Sequence, residues 1–295
     1  MLAPLLALLS AASWGVADFA GGITTRLSSN IVAVLLAQGV GLGLAAILLV
    51  ASAEPMPSGP SLTWAAAAGV SGTLGLFFFY LALSRGTMGL VAPLTALLAA
   101  AIPALVGLAG GDDASVLDVA GMIAALAAVV LISLPDRRLG SPVLPTYHGS
   151  RGREWLLIIL ASLGFAGFFL AVDASHAAGA EVWWPLFVIK VAGVACVGLG
   201  VLVLLPLGRL PALRIGRAAL LTGALGGSAD FAGNLFFVMA SQQGDLSVVV
   251  VLSSLYPIGT ALLARTFLHE RLGPLRMAGV GLAVAGVMLI GLGAL

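Results

Sequence analysis

Charge is scarce in this chain. Only 8% of its 295 residues are Asp, Glu, Lys or Arg, while 61% are hydrophobic and mean hydropathy is +1.16. A soluble domain carries about 25% charged residues to cover its surface, so a water-facing globule is excluded. Lys190 is the single lysine and the other basic residues are all arginines, a bias that points to a GC-rich bacterial genome. Net charge is +1, which leaves no basic footprint for nucleic acid. Cysteine occurs once, as Cys196 inside an apolar run, so neither a disulfide framework nor zinc-ligand spacing exists. The histidines, His148, His176 and His269, are scattered, and no His-x-x-x-His or Glu-x-x-His pair occurs, which argues against an intramembrane metalloenzyme. Walker-type glycine loops are missing as well, so ATP is not the expected driver. No cofactor, no metal and no enzymatic activity are expected.

What the chain does have is apolar runs of roughly 20 residues, the length that crosses a bilayer. They fall at about 2–22, 31–51, 62–84, 87–109, 116–134, 155–174, 182–206, 217–240, 246–267 and 273–294. No basic residue precedes the first run, so it is read as a retained span rather than a cleaved signal. The one long connection, 135–154, holds Pro142, Pro145 and four arginines. It divides the chain into 1–134 and 155–295, five spans on each side.

The two halves echo each other. At an offset of 158, Gly69, Gly75, Phe78, Phe79, Ala82, Gly86, Gly121 and Leu131 recur as Gly227, Gly233, Phe236, Phe237, Ala240, Gly244, Gly279 and Leu289. An odd number of spans per half inserts the second copy upside down. The expected fold is therefore an all-α integral membrane protein of ten transmembrane helices in two inverted five-helix repeats, with a substrate handled between them near the midplane. With this count every arginine falls on one side of the membrane, and Glu54, Asp112, Asp113, Glu181 and Asp245 fall on the other. By the positive-inside rule the arginine side is cytoplasmic, which puts both termini outside a bacterial inner membrane.

Several short motifs carry a family resemblance. They are Ser13-Trp14-Gly15 in span 1, Leu81-Ala82-Leu83 closing span 3, Leu255-Tyr256-Pro257 in span 9, and Leu268-His269-Glu270-Arg271-Leu272 before Gly279 in span 10. Together with the five-plus-five plan, they make the chain resemble the EamA-type members of the drug/metabolite transporter superfamily. The resemblance implies a transporter in which spans 1, 3, 4, 6, 8 and 9 surround a cavity while spans 5 and 10 stand outside. It also implies a secondary exporter of a small organic metabolite or amphipathic drug-like compound, coupled to protons or another ion. Family members commonly carry basic residues in the loop after span 2. Here that loop, Glu54 to Pro60, has none, so the local charges set the expected orientation.

Candidate site residues are the polar groups at lipid depth, where an ionisable side chain is expensive and marks function or a buried ion pair. Asp230 shares a helical stripe with Asn234, Phe237 and Ser241. It reads either as a carboxylate that binds a proton or substrate cation, or as the structural partner of Lys190. Asp18 follows Trp14 by one turn and reads as a second site acid or as a partner of Arg26. Lys190 reads more as a pairing residue than as a substrate ligand. Tyr256 shares a stripe with Ser253 and Thr260, and Trp14, Tyr256 and Tyr80 are candidate cavity walls for an amphipathic or cationic solute. Pro93, Pro103 and Pro257 are candidate bends in spans 4 and 9. The expected partners are a small-molecule substrate and the lipid bilayer, with no nucleic acid, in a monomer or a homodimer. A membrane scaffold is the remaining alternative, and it would have no need of Asp230 and Asn234 at depth.

Overall fold

The computed structural model describes residues 2–85, 88–133, 151–206, 215–267 and 273–293. Among these residues every regular element is a helix. In order they are α1 (Leu2–Leu27), α2 (Asn30–Ser52), α3 (Gly59–Arg85), α4 (Met88–Gly110), α5 (Val116–Ser133), α6 (Arg151–Ala177), α7 (Trp183–Leu204), α8 (Arg217–Ser241), α9 (Leu246–Ser253), α10 (Tyr256–Phe267) and α11 (Pro274–Gly293). Among the described residues, five stretches are long and apolar enough to cross a membrane: Leu2–Leu27, Asn30–Ser52, Gly59–Ala82, Trp155–Ala177 and Trp183–Val203. Exposed leucines, valines and isoleucines such as Ile47, Val50, Leu105, Leu199 and Leu221 coat the outside, as a lipid-facing surface requires. The motif Leu268–Leu272 and the arginines Arg137, Arg138, Arg209, Arg214 and Arg271 lie outside the described residues.

Local chemistry sets the helix ends. Ser29 caps α2 by accepting the Val32 N–H at 3.3 Å. Gly111 after α4 and Gly179 after α6 take φ of 104° and 92°, the left-handed geometry that closes a helix and that only glycine adopts cheaply. Glu54, just past α2, holds the start of α7. Its carboxylate accepts the backbone N–H groups of Val182, Trp183 and Trp184 at 3.3, 2.9 and 3.3 Å. A negative charge against a helix N-terminus satisfies donors the helix cannot pair itself.

The apolar run expected as one span at 246–267 is two helices. Pro257 has no N–H to give to the Ser253 carbonyl, so the ladder breaks. The chain turns through Ser254 and Leu255 with tighter bonds, Leu255 N to Leu252 O at 3.2 Å and Ile258 N to Leu255 O at 2.9 Å. Pro103 lies inside α4, which runs on through it.

The most extensive helix pairings are α1 with α8, α3 with α6, and α5 with α11. Small residues let these backbones approach, which is how helices associate where no hydrophobic force draws them together. A Cβ on Gly164 of α6 would lie 2.5 Å from the Gly75 Cα of α3, and one on Gly15 of α1 would lie 3.0 Å from the Gly259 Cα of α10. Several contacts occur in exchanged pairs. Gly69 of α3 packs on Ile189 of α7, and Gly227 of α8 on Leu36 and Ala37 of α2. Gly121 of α5 meets Ile290 of α11, and Gly279 of α11 meets Ile132 of α5.

Candidate functional site

Inside the bundle is a cavity of about 760 Å³ of empty space including its mouth. Helices α1, α3, α4, α6 and α8 line it, with the turn at Ser254 and Tyr256 at the start of α10. The resemblance implied that set without spans 2 and 7, yet α2 and α7 also enter, through Gln38, Ile189 and Lys190. None of its described lining residues comes from α5 or α11.

Of the residues singled out in the sequence, Trp14, Asp18, Lys190, Asp230, Asn234 and Tyr256 come together on this wall. Lys190 is 1% exposed, and its Nζ donates to Asp230 Oδ2 at 2.5 Å; Asp230 keeps 20% of its side chain open. An ammonium so deep needs a counter-charge close by, because an unpaired buried charge is strongly destabilising. Asn234, one turn along α8, accepts the Trp14 Nε1–H with its Oδ1 at 3.2 Å, which ties α8 to α1. Asp18 has no hydrogen bond or ion pair among the described residues.

Two of the expected residues stand elsewhere. Ser253 is fully buried and its hydroxyl donates to the Ala7 carbonyl at 3.4 Å, so it faces α1 rather than the cavity. Tyr80 is 6% exposed; its ring sits 5.9 Å from that of Phe79 and its hydroxyl abuts Gly21. Neither belongs to the lining. The stripe that groups Ser253 with Tyr256 is interrupted by the turn between α9 and α10.

Other residues join the site unforeseen. Gln38 is 94% buried, with its Nε2 donating to Thr73 Oγ1 at 3.3 Å and its Oε1 left without a partner. A lone amide inside an apolar span was the available signal, the same one that marked Asn234. Phe168 and Phe169 complete an aromatic wall, their ring centroids 6.3 and 5.8 Å from Trp14, with Phe237 behind at 4.8 Å from Phe169. The arrangement offers carboxylate and amide acceptors on one part of its wall and aromatic faces on another. It can hold a solute with a polar head and an apolar body. Among the described residues no cluster of His, Cys, Asp or Glu is grouped to hold a metal ion.

Residues 152–292 match the model of the EamA-like transporter family. A solved structure described only as a crystal structure of a protein superposes with a TM-score of 0.77, covering 98% of this chain and 98% of its own, at 19% identity. An identity that low speaks for the fold alone. No curated protein matches the sequence. Over 152–292 the chain is similar to the EamA-like transporter family, and its long apolar helices are those of a multi-pass membrane protein.

Proposed function

With that similarity as premise, we propose that the chain is a secondary active exporter of a small organic solute. The central cavity is its substrate site, and two inverted five-helix repeats rock around it. The observation that carries this reading is the cavity itself. It lies where helices of both halves meet, and it places Lys190, Asp230 and Asp18 among apolar and aromatic walls. Polar groups at that depth serve a polar cargo or its coupling ion.

The repeat plan is supported by the exchanged contacts. Gly121–Ile290 and Gly279–Ile132 map onto each other when the halves are swapped at an offset of 158, and Gly69 on α7 exchanges with Gly227 on α2, with α2 and α7 themselves related at an offset of about 152. Ten spans follow if α9 and α10 together make one. The arginine distribution supports both termini lying outside the cytoplasm. In this reading Asp230 and Lys190 are a fixed pair in the cavity wall, and Asp18 is the acid free to act on cargo or proton.

An untargeted comparison of metabolites inside and outside cells with and without the gene tests the function. At least one small organic solute should move to the medium when the protein is present. An unchanged profile with the protein verified in the membrane would overturn the reading. Reporter fusions at Leu295, one active only in the cytoplasm and one only outside it, test the orientation; activity of the cytoplasmic reporter contradicts it.

A further inference from the structure

We infer that the cargo is a monocation bearing N–H donors on a compact aromatic or aliphatic body, anchored by Asp18 and oriented by Gln38. The inference rests on the transporter reading and adds the chemical class of the solute. It starts from what the cavity wall leaves unsatisfied. The charged groups among its described lining are Asp18, Asp230 and Lys190. Lys190 is spent on Asp230, so one carboxylate, Asp18, remains without a counter-charge. An unneutralised carboxylate away from bulk water draws a cation with a force that water would screen.

The second observation is independent of charge. Gln38 lines the cavity, and its Oε1, packed beside Gly193, is buried with no hydrogen-bond partner, while the amide nitrogen of the same side chain is used by Thr73. A buried unpaired acceptor costs about 1–3 kcal/mol, and a ligand N–H removes that cost.

Asn234 shapes the aromatic part of the wall. Its oxygen is occupied by Trp14 Nε1, which holds the indole at the cavity edge beside Phe168 and Phe169. The wall thus supplies ring faces for a cation or an apolar body. An anionic solute would meet Asp18 and Asp230, with the one lining cation among the described residues already paired.

Phenethylammonium, 3-phenylpropionate and phenethyl alcohol share one body and differ in the head. Their binding to the full chain in detergent micelles can be measured by calorimetry, and their flux in proteoliposomes. Phenethylammonium should bind at least about tenfold more tightly than the carboxylate. Asp18→Asn, which keeps the shape, should lose about tenfold of that affinity with an unchanged thermal midpoint. If Asp18→Asn does not fold, Gln38→Glu serves instead; a second carboxylate should raise the affinity for phenethylammonium. Gln38→Met should weaken phenethylammonium more than its trimethylated analogue, which has no N–H to give. Preference for 3-phenylpropionate, equal binding by folded Asp18→Asn, no gain in Gln38→Glu, or no ammonium binding at millimolar concentration would each overturn the inference. Transport of 3-phenylpropionate but not of the ammonium would remove the cation and keep the transporter. Binding of the ammonium without flux of any of the three would keep the site and remove the transporter.

Discussion

Gly41 on α2 lies against the side chain of Lys190 on α7. A Cβ on the glycine would sit 2.8 Å from Lys190 Cε and 3.0 Å from Cδ. The other half repeats the arrangement: a Cβ on Gly193 of α7 would sit 2.7 Å from Gln38 Oε1 of α2. Gln38 and Lys190 occupy exchanged positions, each reaching across a glycine of the facing helix. One half thus contributes a neutral amide paired to Thr73, and the other a cation paired to Asp230.

Gly41→Ala should therefore push on a lysine that cannot retreat, because its far end is held by Asp230. We expect a loss of about 1 kcal/mol, within the usual overpacking range, read as a lower thermal midpoint in detergent. Gly43→Ala is the control, since nothing lies within 4 Å of its Cβ position. Equal midpoints for the two variants would contradict the packing role given to Gly41.

The α5–α11 pair offers a test of the exchange. A Cβ on Gly121 would lie 2.7 Å from both Gly286 O and Ile290 Cγ1; one on Gly279 would lie 2.7 Å from Ile132 Cγ1 and 2.9 Å from Ile132 N. Backbone is among the obstructing atoms at both sites, so relief by rotamer change is closed. Gly121→Ala and Gly279→Ala should each destabilise by about 1–3 kcal/mol, and by similar amounts. A tolerated change at one site and a severe one at the other would show that the two contacts are not equivalent.

Much of the helix plan was legible because a lipid-facing helix needs a long uncharged run, and turn residues or arginines bound each one; the run expected at 217–240 is α8, Arg217–Ser241. The division of 246–267 was not, since whether Pro257 bends or interrupts a helix depends on which bonds its neighbours find. Gln38 escaped because one uncharged amide barely changes the hydropathy of α2. Glu54 escaped because its partners lie about 130 residues away and meet it only in the folded chain. The offset of 158 begins only at Gly69 for a geometric reason. Gly41 and Gly193 are 152 apart, and the stretch between α7 and α8, 205–216, is six residues longer than that between α2 and α3, 53–58.

Glu54 predicts a stability effect far from the cavity. Its carboxylate accepts three backbone N–H groups at the start of α7, and its own carbonyl accepts the Trp184 Nε1–H at 3.0 Å. Glu54→Ala should cost about 1–2 kcal/mol, the range for a lost N-cap. Glu54→Gln should cost less, since its amide oxygen still accepts. Hydrogen exchange at 182–184 checks this: faster exchange there, with slow exchange kept in α2, is the expected pattern, and no change removes the capping role.

Asp245, at the start of α9 and outside the membrane core, predicts a pH effect. Partial burial and the like charges of Asp112, Asp113 and Asp118 push its carboxyl above the ordinary aspartate value of 3.8. The folded state therefore holds the proton more tightly than the unfolded chain. That advantage is complete below the unfolded value and fades as pH rises through the folded one. Asp245→Asn should raise the thermal midpoint slightly at pH 7 and leave it unchanged near pH 3. A gain of equal size at both pH values would show that charge is not the cause.

The pair of Lys190 and Asp230 gives the most decisive prediction. With Lys190 only 1% exposed, removing its partner leaves a buried ammonium uncompensated. Breaking such a pair costs about 3–5 kcal/mol, whereas replacing both members by uncharged groups is near neutral. Asp230→Asn alone should therefore lower the thermal midpoint sharply, and should also weaken phenethylammonium, because the freed lysine repels it. Lys190→Met combined with Asp230→Asn should restore the midpoint and the binding together, since Asp18 remains the uncompensated acid. A double variant that folds as well as the wild type yet neither binds nor transports would make Asp230 a ligand of the cargo rather than the lysine's partner. A stable, active Asp230→Asn single variant would mean that Lys190 does not depend on the pair.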